Sequence, residues 1–109
     1  MRKIYNKLIR DKIPEIIERN GGKHKIRILN DEEYKKELLR KIVEEAREVL
    51  ETSGDKKELT KEIGDVLEII NYLVRVFDLD REKIETTRQA RKESRGGFDK
   101  KLFLEYTDD

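Results

Sequence analysis

The 109-residue chain is the length of one compact domain, and the sequence predicts a single domain over 1–109. Lys and Arg number 26 against 25 Asp and Glu, so the net charge of +1 supplies no bulk attraction to a nucleic-acid polymer or an anionic membrane. The absence of Cys excludes disulfide and thiol chemistry, and a single His, His24, excludes a His-rich metal site.

No apolar run approaches the roughly 20 residues of a membrane span, and Met1-Arg2-Lys3-Ile4-Tyr5 opens without a long apolar stretch. The expected location is therefore cytoplasmic. Abundant Glu and Lys with no Cys resemble the composition bias of thermophiles. Hydrophobic residues make up 35% of the chain, which is little for a self-sufficient globule of this size. Pairing with a second copy, as a homo-dimer or higher homo-oligomer, is expected to supply the missing core.

An all-α fold follows from the pattern of caps and apolar spacings. Asp11 is expected to cap a short first helix with Pro14 in its first turn, Ile13, Ile16 and Ile17 on its apolar side, and Gly21-Gly22 at its end. Residues 23–30 read as an extended or loop segment. Asp31 is expected to cap a long second helix that ends near Gly54, with Tyr34, Leu38, Ile42, Ala46, Val49 and Leu50 at spacings of three and four. Asp55 and Glu58 resemble a capping box opening a third helix, whose apolar positions run from Leu59 through Ile63, Val66, Leu67, Ile70, Leu73 and Val74 to Phe77. Asp80 is expected to cap a fourth helix that stops at Gly96-Gly97. The tail, with Phe98, Leu102, Phe103, Leu104 and Tyr106, is predicted to pack back on the body. Two long helices joined by a few residues around Gly54 predict an antiparallel hairpin.

The chemistry sits in the carboxylates of that hairpin. Helix two carries Glu44-Glu45-Ala46-Arg47-Glu48, and helix three carries Glu62-Ile63-Gly64-Asp65. Both segments lie several residues from the turn, so they face each other at similar height. Glu45 and Glu48, like Glu62 and Asp65, are three apart and share a helix face. A step of about 100° per residue puts Glu45 inside the apolar arc, between Leu38 and Tyr34. Glu48 falls just beyond its edge, and Glu44 lies nearly opposite its centre. On helix three, Glu62 falls between Leu73 and Ile69, with Asp65 at the same edge. Carboxylates placed in packing faces are costly unless a cation joins them, and oxygen ligands suit Mg²⁺, which bridges carboxylates to phosphates. Glu45, Glu48, Glu62 and Asp65 are therefore the candidate ligands for Mg²⁺, with Mn²⁺ as a substitute. Glu44 and Glu68 read as surface positions, Glu44 being close enough to act on a water beside the metal.

Two basic groups are candidates for a polyphosphate. Arg88, Arg91 and Arg95 follow Ile84 as a stripe on helix four, with Lys92 beside it, and Gly96-Gly97 expose backbone next to the guanidinium groups. A helix end that complements the macrodipole explains the same stripe equally well. Lys7 and Arg10 form the second cluster, next to a helix start.

Glu44-Glu45-x-x-Glu48 followed by Glu62-x-x-Asp65 resembles the signature of the MazG-like all-α NTP pyrophosphatases. The flanks, from Tyr5 to Pro14 and from Arg95 to Phe98, resemble the phosphoribosyl-ATP pyrophosphohydrolase-like, house-cleaning subgroup. The resemblance implies a MazG-like helical bundle, Mg²⁺ on the motif carboxylates, and cleavage of a nucleotide between its α and β phosphates to give a monophosphate and pyrophosphate. It further implies assembly as a dimer or higher oligomer. In that scheme Glu44 orients or deprotonates the water, and Lys7, Arg10, Arg91, Lys92 and Arg95 hold phosphate oxygens. Three other readings compete. A di-iron bundle needs Glu-x-x-His pairs, and His24 lies in none. A phosphoribosyl-ATP pyrophosphatase of histidine synthesis uses the same chemistry on a different substrate. A non-enzymatic helical interaction protein would leave the interrupted apolar arcs to be explained.

Overall fold

The computed structural model describes residues 1–108. Four α-helices, and no strand among the described residues, follow in the order α1 (Ile13–Arg19), α2 (Asp31–Glu51), α3 (Lys56–Val76) and α4 (Arg81–Arg95). No helix of the described residues is long and apolar enough to cross a membrane. Two compact units are present, Met1–Asp78 and the residues from Leu79 onward.

In the first unit α1 begins later than its sequence signals suggest. Its N-cap is Lys12, with no side-chain cap bond, so Asp11 is not the cap. Pro14 sits in the first turn, where its missing N–H costs nothing. The turn before it is closed by the Ile13 amide, which donates to the Arg10 carbonyl at 3.1 Å. Gly22 ends the helix by close approach: its amide donates to the Ile17 carbonyl at 2.9 Å, and a Cβ there would lie 2.9 Å from Ile17 Cγ2.

Helix α2 is capped by Asn30 and not by Asp31. The Asn30 side chain accepts from the Glu33 amide at 2.9 Å, and Glu33 accepts from the Asn30 amide at 3.4 Å, a full capping box. Asp31 is instead the first helical residue, where its charge favours the helix N-terminus. Arg27 holds Glu33 through two hydrogen bonds, at 2.7 and 3.2 Å, which lowers the Glu33 carboxyl below its usual range.

The link to α3 is short. Thr52 caps the end of α2, Ser53 and Gly54 take left-handed φ of 53° and 86°, and the Asp55 side chain accepts from the Glu58 amide at 3.0 Å to start α3. The two helices pack on each other. Lys35, near the start of α2, lies 5.6 Å over the ring of Phe77, which caps the end of α3, as an antiparallel hairpin requires.

Leu38 is the only hydrophobic residue fully buried among the described residues, at 2% exposure. Leu39, Val43 and Leu50 of α2 and Ile63 and Leu67 of α3 remain exposed. On both helices these positions lie round from the inter-helix seam on the side opposite Glu48 and Asp65, as helical angles require.

In the second unit Asp80 caps α4 by accepting from the Glu82 and Lys83 amides, and Gly96 ends it with a φ of 85°. Phe98, Leu102, Phe103, Leu104 and Tyr106 are all exposed, so the packing expected for the tail is not found. Apolar side chains in so short an irregular segment have no periodic face with which to build a layer.

Candidate metal centre

Successive turns of α2 supply Glu45 and Glu48, and successive turns of α3 supply Glu62 and Asp65. The hairpin turn sets the two pairs at the same height. One carboxylate oxygen from each of the four lies within 4.8 Å of the other three. Such an all-oxygen group is a ligand set for a hard divalent cation.

Two of the four lie deep in the seam. Glu45 is 8% exposed and Glu62 is 9% exposed, and the Oε2 atoms of both are buried without a hydrogen-bond partner. A buried carboxylate oxygen lacking a partner is expensive, which is why such atoms in a folded protein point to a ligand. Burial, followed by the hydrogen bond and the charge of Glu48, pushes the Glu45 carboxyl up to about 7. The same causes in the same order raise Glu62. These residues thus fit a divalent cation: four converging carboxylates repel one another, and the inner pair holds its charge only against that repulsion.

Cations of the chain itself surround this group. Lys41, on α2, is largely buried and reaches Glu44 Oε1 at 3.2 Å and Glu45 Oε1 at 3.8 Å. Lys7 approaches the same Glu44 oxygen at 3.4 Å. Burial alone would raise Glu44, but Lys41 and Lys7 outweigh it and hold the carboxyl below its usual range. Arg10 spans two residues of α3, donating to Asp65 Oδ1 at 3.0 Å and lying 3.7 Å from Glu68 Oε2. Toward the turn, Glu48 and Glu62 also line a cleft of about 400 Å³ with Glu51, Thr52 and Glu58.

Five of the sequence-derived candidates therefore gather in one group, Arg10 with Glu45, Glu48, Glu62 and Asp65, and Lys7 reaches the neighbouring Glu44. Glu44 stands just outside the four, as its helical angle requires. Glu68 is half exposed and is also outside them, but Arg10 reaches it. Lys41 was not singled out in the sequence, although its spacing of three and four from Glu44 and Glu45 carries the signal.

The remaining candidates belong to the second unit. Arg91, Lys92 and Arg95 occupy the last turns of α4 and are exposed. The Gly96 amide donates to the Lys92 carbonyl at 2.8 Å, and the Lys92 side chain runs beside Gly97. Arg88 of the same stripe is paired with Glu85, three residues earlier on the helix.

A family model described as phosphoribosyl-ATP pyrophosphohydrolase matches residues 5–92. That span runs from the Lys7 and Arg10 segment through both carboxylate motifs to Lys92. Comparison with curated proteins and with solved structures finds no match.

Proposed function

This chain belongs to the phosphoribosyl-ATP pyrophosphohydrolase family, within the MazG-like all-α NTP pyrophosphatases, and is a hydrolase acting on acid anhydrides; on that footing we propose that it cleaves a nucleoside triphosphate between the α and β phosphates. The products are a nucleoside monophosphate and pyrophosphate. Abnormal nucleotides, removed by house-cleaning, are the intended substrate class. The observation that carries the reading is a four-carboxylate group drawn from both long helices, two of whose members, Glu45 and Glu62, each bury an oxygen that has no partner.

Mg²⁺ is the proposed ion, held by Glu45, Glu48, Glu62 and Asp65; Mn²⁺ can replace it. When bound, it neutralises the triphosphate and the charge that grows on the departing pyrophosphate. Glu44, kept ionised by Lys41 and Lys7, accepts a hydrogen bond from the attacking water and orients it. The water oxygen bonds to a phosphorus flanking the α–β bridging oxygen as the bond from that phosphorus to the bridging oxygen breaks, and the released proton passes to solvent. Lys7 and Arg10 hold outer phosphate oxygens, and Arg91, Lys92 and Arg95 provide further phosphate contacts from α4.

Assembly as a homo-dimer or higher homo-oligomer belongs to the same proposal. One fully buried hydrophobic side chain among the described residues is too little core for an independent domain. The exposed aliphatic face of the hairpin supplies more when it meets a second copy of itself, because a two-fold contact needs a surface complementary to itself.

The description of the matched family favours a second substrate, phosphoribosyl-ATP, cleaved by the same chemistry. A panel of standard and modified nucleoside triphosphates that includes phosphoribosyl-ATP, incubated with the protein and Mg²⁺, separates the two. Preference for phosphoribosyl-ATP by orders of magnitude in kcat/KM would replace the first reading with the second.

A further inference from the structure

Arg10 makes a bond that a phosphate-binding residue does not need: it lies on Asp65, one of the four carboxylates proposed to hold the cation, at 3.0 Å. Its backbone is fixed close by, because the Arg10 carbonyl accepts from the Ile13 amide in the turn that enters α1. Three residues earlier Lys7 binds Glu44 on the opposite helix. The segment from Lys7 to Arg10 is thus tied to α2 at one end and α3 at the other, along the exposed edge of the carboxylate group. The guanidinium itself is well exposed, and its second arm faces Glu68, which lies one turn beyond Asp65. Release from Asp65 therefore needs only side-chain rotation.

We propose that Arg10 is a positioning residue that exchanges charge with the metal: it neutralises Asp65 while the site lacks a cation, and a divalent cation arriving at Asp65 displaces it toward Glu68 and the incoming phosphate. The inference rests on the reading of the four carboxylates as the metal ligands. A dication and a guanidinium cannot share Asp65 without mutual repulsion, since two like charges this close raise each other's energy even in a solvated setting. Anionic phosphate reverses the balance, because it offers the displaced guanidinium a bidentate partner. Metal and nucleotide binding are consequently coupled through one side chain, and the coupling is reciprocal.

Two measurements on the full chain test this. In calorimetry with Mg²⁺ or Mn²⁺ alone, Arg10→Ala binds metal about 3- to 10-fold more tightly than wild type, the size expected for removing one nearby charge at a partly exposed site. With a non-hydrolysable α,β-methylene triphosphate added, the variant loses the increase in metal affinity that the nucleotide gives wild type. The second measurement does not depend on how the variant folds. The Nε–Hε resonance of Arg10 in the wild-type protein shifts during a Mg²⁺ titration, with the midpoint that calorimetry reports. Equal or weaker metal binding by a folded Arg10→Ala, or an Arg10 resonance that stays fixed while wild type takes up metal, overturns the exchange and leaves the metal site standing. Wild-type protein that binds no metal overturns the metal site, and the exchange with it.

Discussion

Glu45 of α2 and Glu62 of α3 meet in the hairpin seam with one oxygen each buried and unpartnered. Without a cation they are a liability in the interior of the unit, and the repulsion falls on the only extensive helix packing there. Mg²⁺ at 5 mM, roughly, is expected to raise the melting temperature by several degrees, because a ligand that binds only the folded state stabilises it in proportion to the logarithm of its concentration. Differential scanning calorimetry with and without metal reads this directly; superimposed melting curves at that concentration count against the site.

Substitution separates the inner carboxylates from their neighbours. Glu45→Gln and Glu62→Gln are expected to abolish metal binding and turnover while the helices stay folded, and to stabilise the metal-free protein as the repulsion is removed. Glu68→Gln is expected to stay within about 0.5 kcal/mol of wild type in stability, since its contact with Arg10 is exposed. Circular dichroism melts and metal titrations on the three variants check the split. Equal loss of metal binding in all three would show that the helix faces are assigned wrongly.

The raised Glu45 carboxyl fixes a pH dependence. Its folded value of about 7 lies above the ordinary 4.5, and Glu62 shifts the same way. Between those values the folded protein holds protons that the unfolded chain has released. The contribution is present in full below the ordinary value and is lost as pH rises toward about 7. Metal-free protein is therefore expected to lose stability from these two groups over that window, and Glu45→Gln to flatten the loss. Metal binding near pH 6.5, roughly, should also release protons, visible as a dependence of the calorimetric heat on buffer ionisation enthalpy. Heats that are independent of buffer, with an apo stability that climbs through the window in the same way for wild type and variant, would contradict the raised values.

The aliphatic face makes its own prediction. Val43→Asp and Leu67→Asp are expected to convert an oligomer into a monomer of much reduced stability, because each puts a charge into the proposed contact between copies. Sedimentation equilibrium at micromolar concentration decides it. A wild-type monomer, or variants that associate as wild type does, would remove this face from the interface.

Arg95 is expected to act on substrate and not on metal. Arg95→Ala should raise KM about 5- to 50-fold, the range for one lost charge-assisted contact, with metal affinity unchanged. Steady-state kinetics beside a metal titration measures both; an unaltered KM and kcat would make Arg95 a helix-end charge.

Much of this was legible in the sequence because helical periodicity is a strong signal. Glu45 and Glu62 stood out by interrupting apolar arcs, and they are the two charged residues buried among those the structure describes. The caps of α3 and α4, Asp55 and Asp80, were equally plain. Asn30 was missed because Asp31 beside it is as good a capping residue. Only the capping-box partner distinguishes them, since Glu33 lies three residues after Asn30 and Tyr34 three after Asp31. Asp11 failed because the helix that holds Pro14 in its first turn has its cap one residue later, at Lys12. The ion pairs of Lys7 and Arg10 join residues 37 and 55 apart in the chain, a separation that no local pattern encodes. The apolar tail misled because composition without periodicity does not state what a segment packs on.

Product identification tests the central claim most directly. A nucleoside triphosphate panel is incubated with the wild-type protein and Mg²⁺, and the phosphorus products are followed by ³¹P NMR, with Glu62→Gln as the control. Equimolar nucleoside monophosphate and pyrophosphate from wild type, and neither from the variant, is the predicted result. Release of inorganic phosphate with a nucleoside diphosphate, or the same turnover in Glu62→Gln as in wild type, would contradict it.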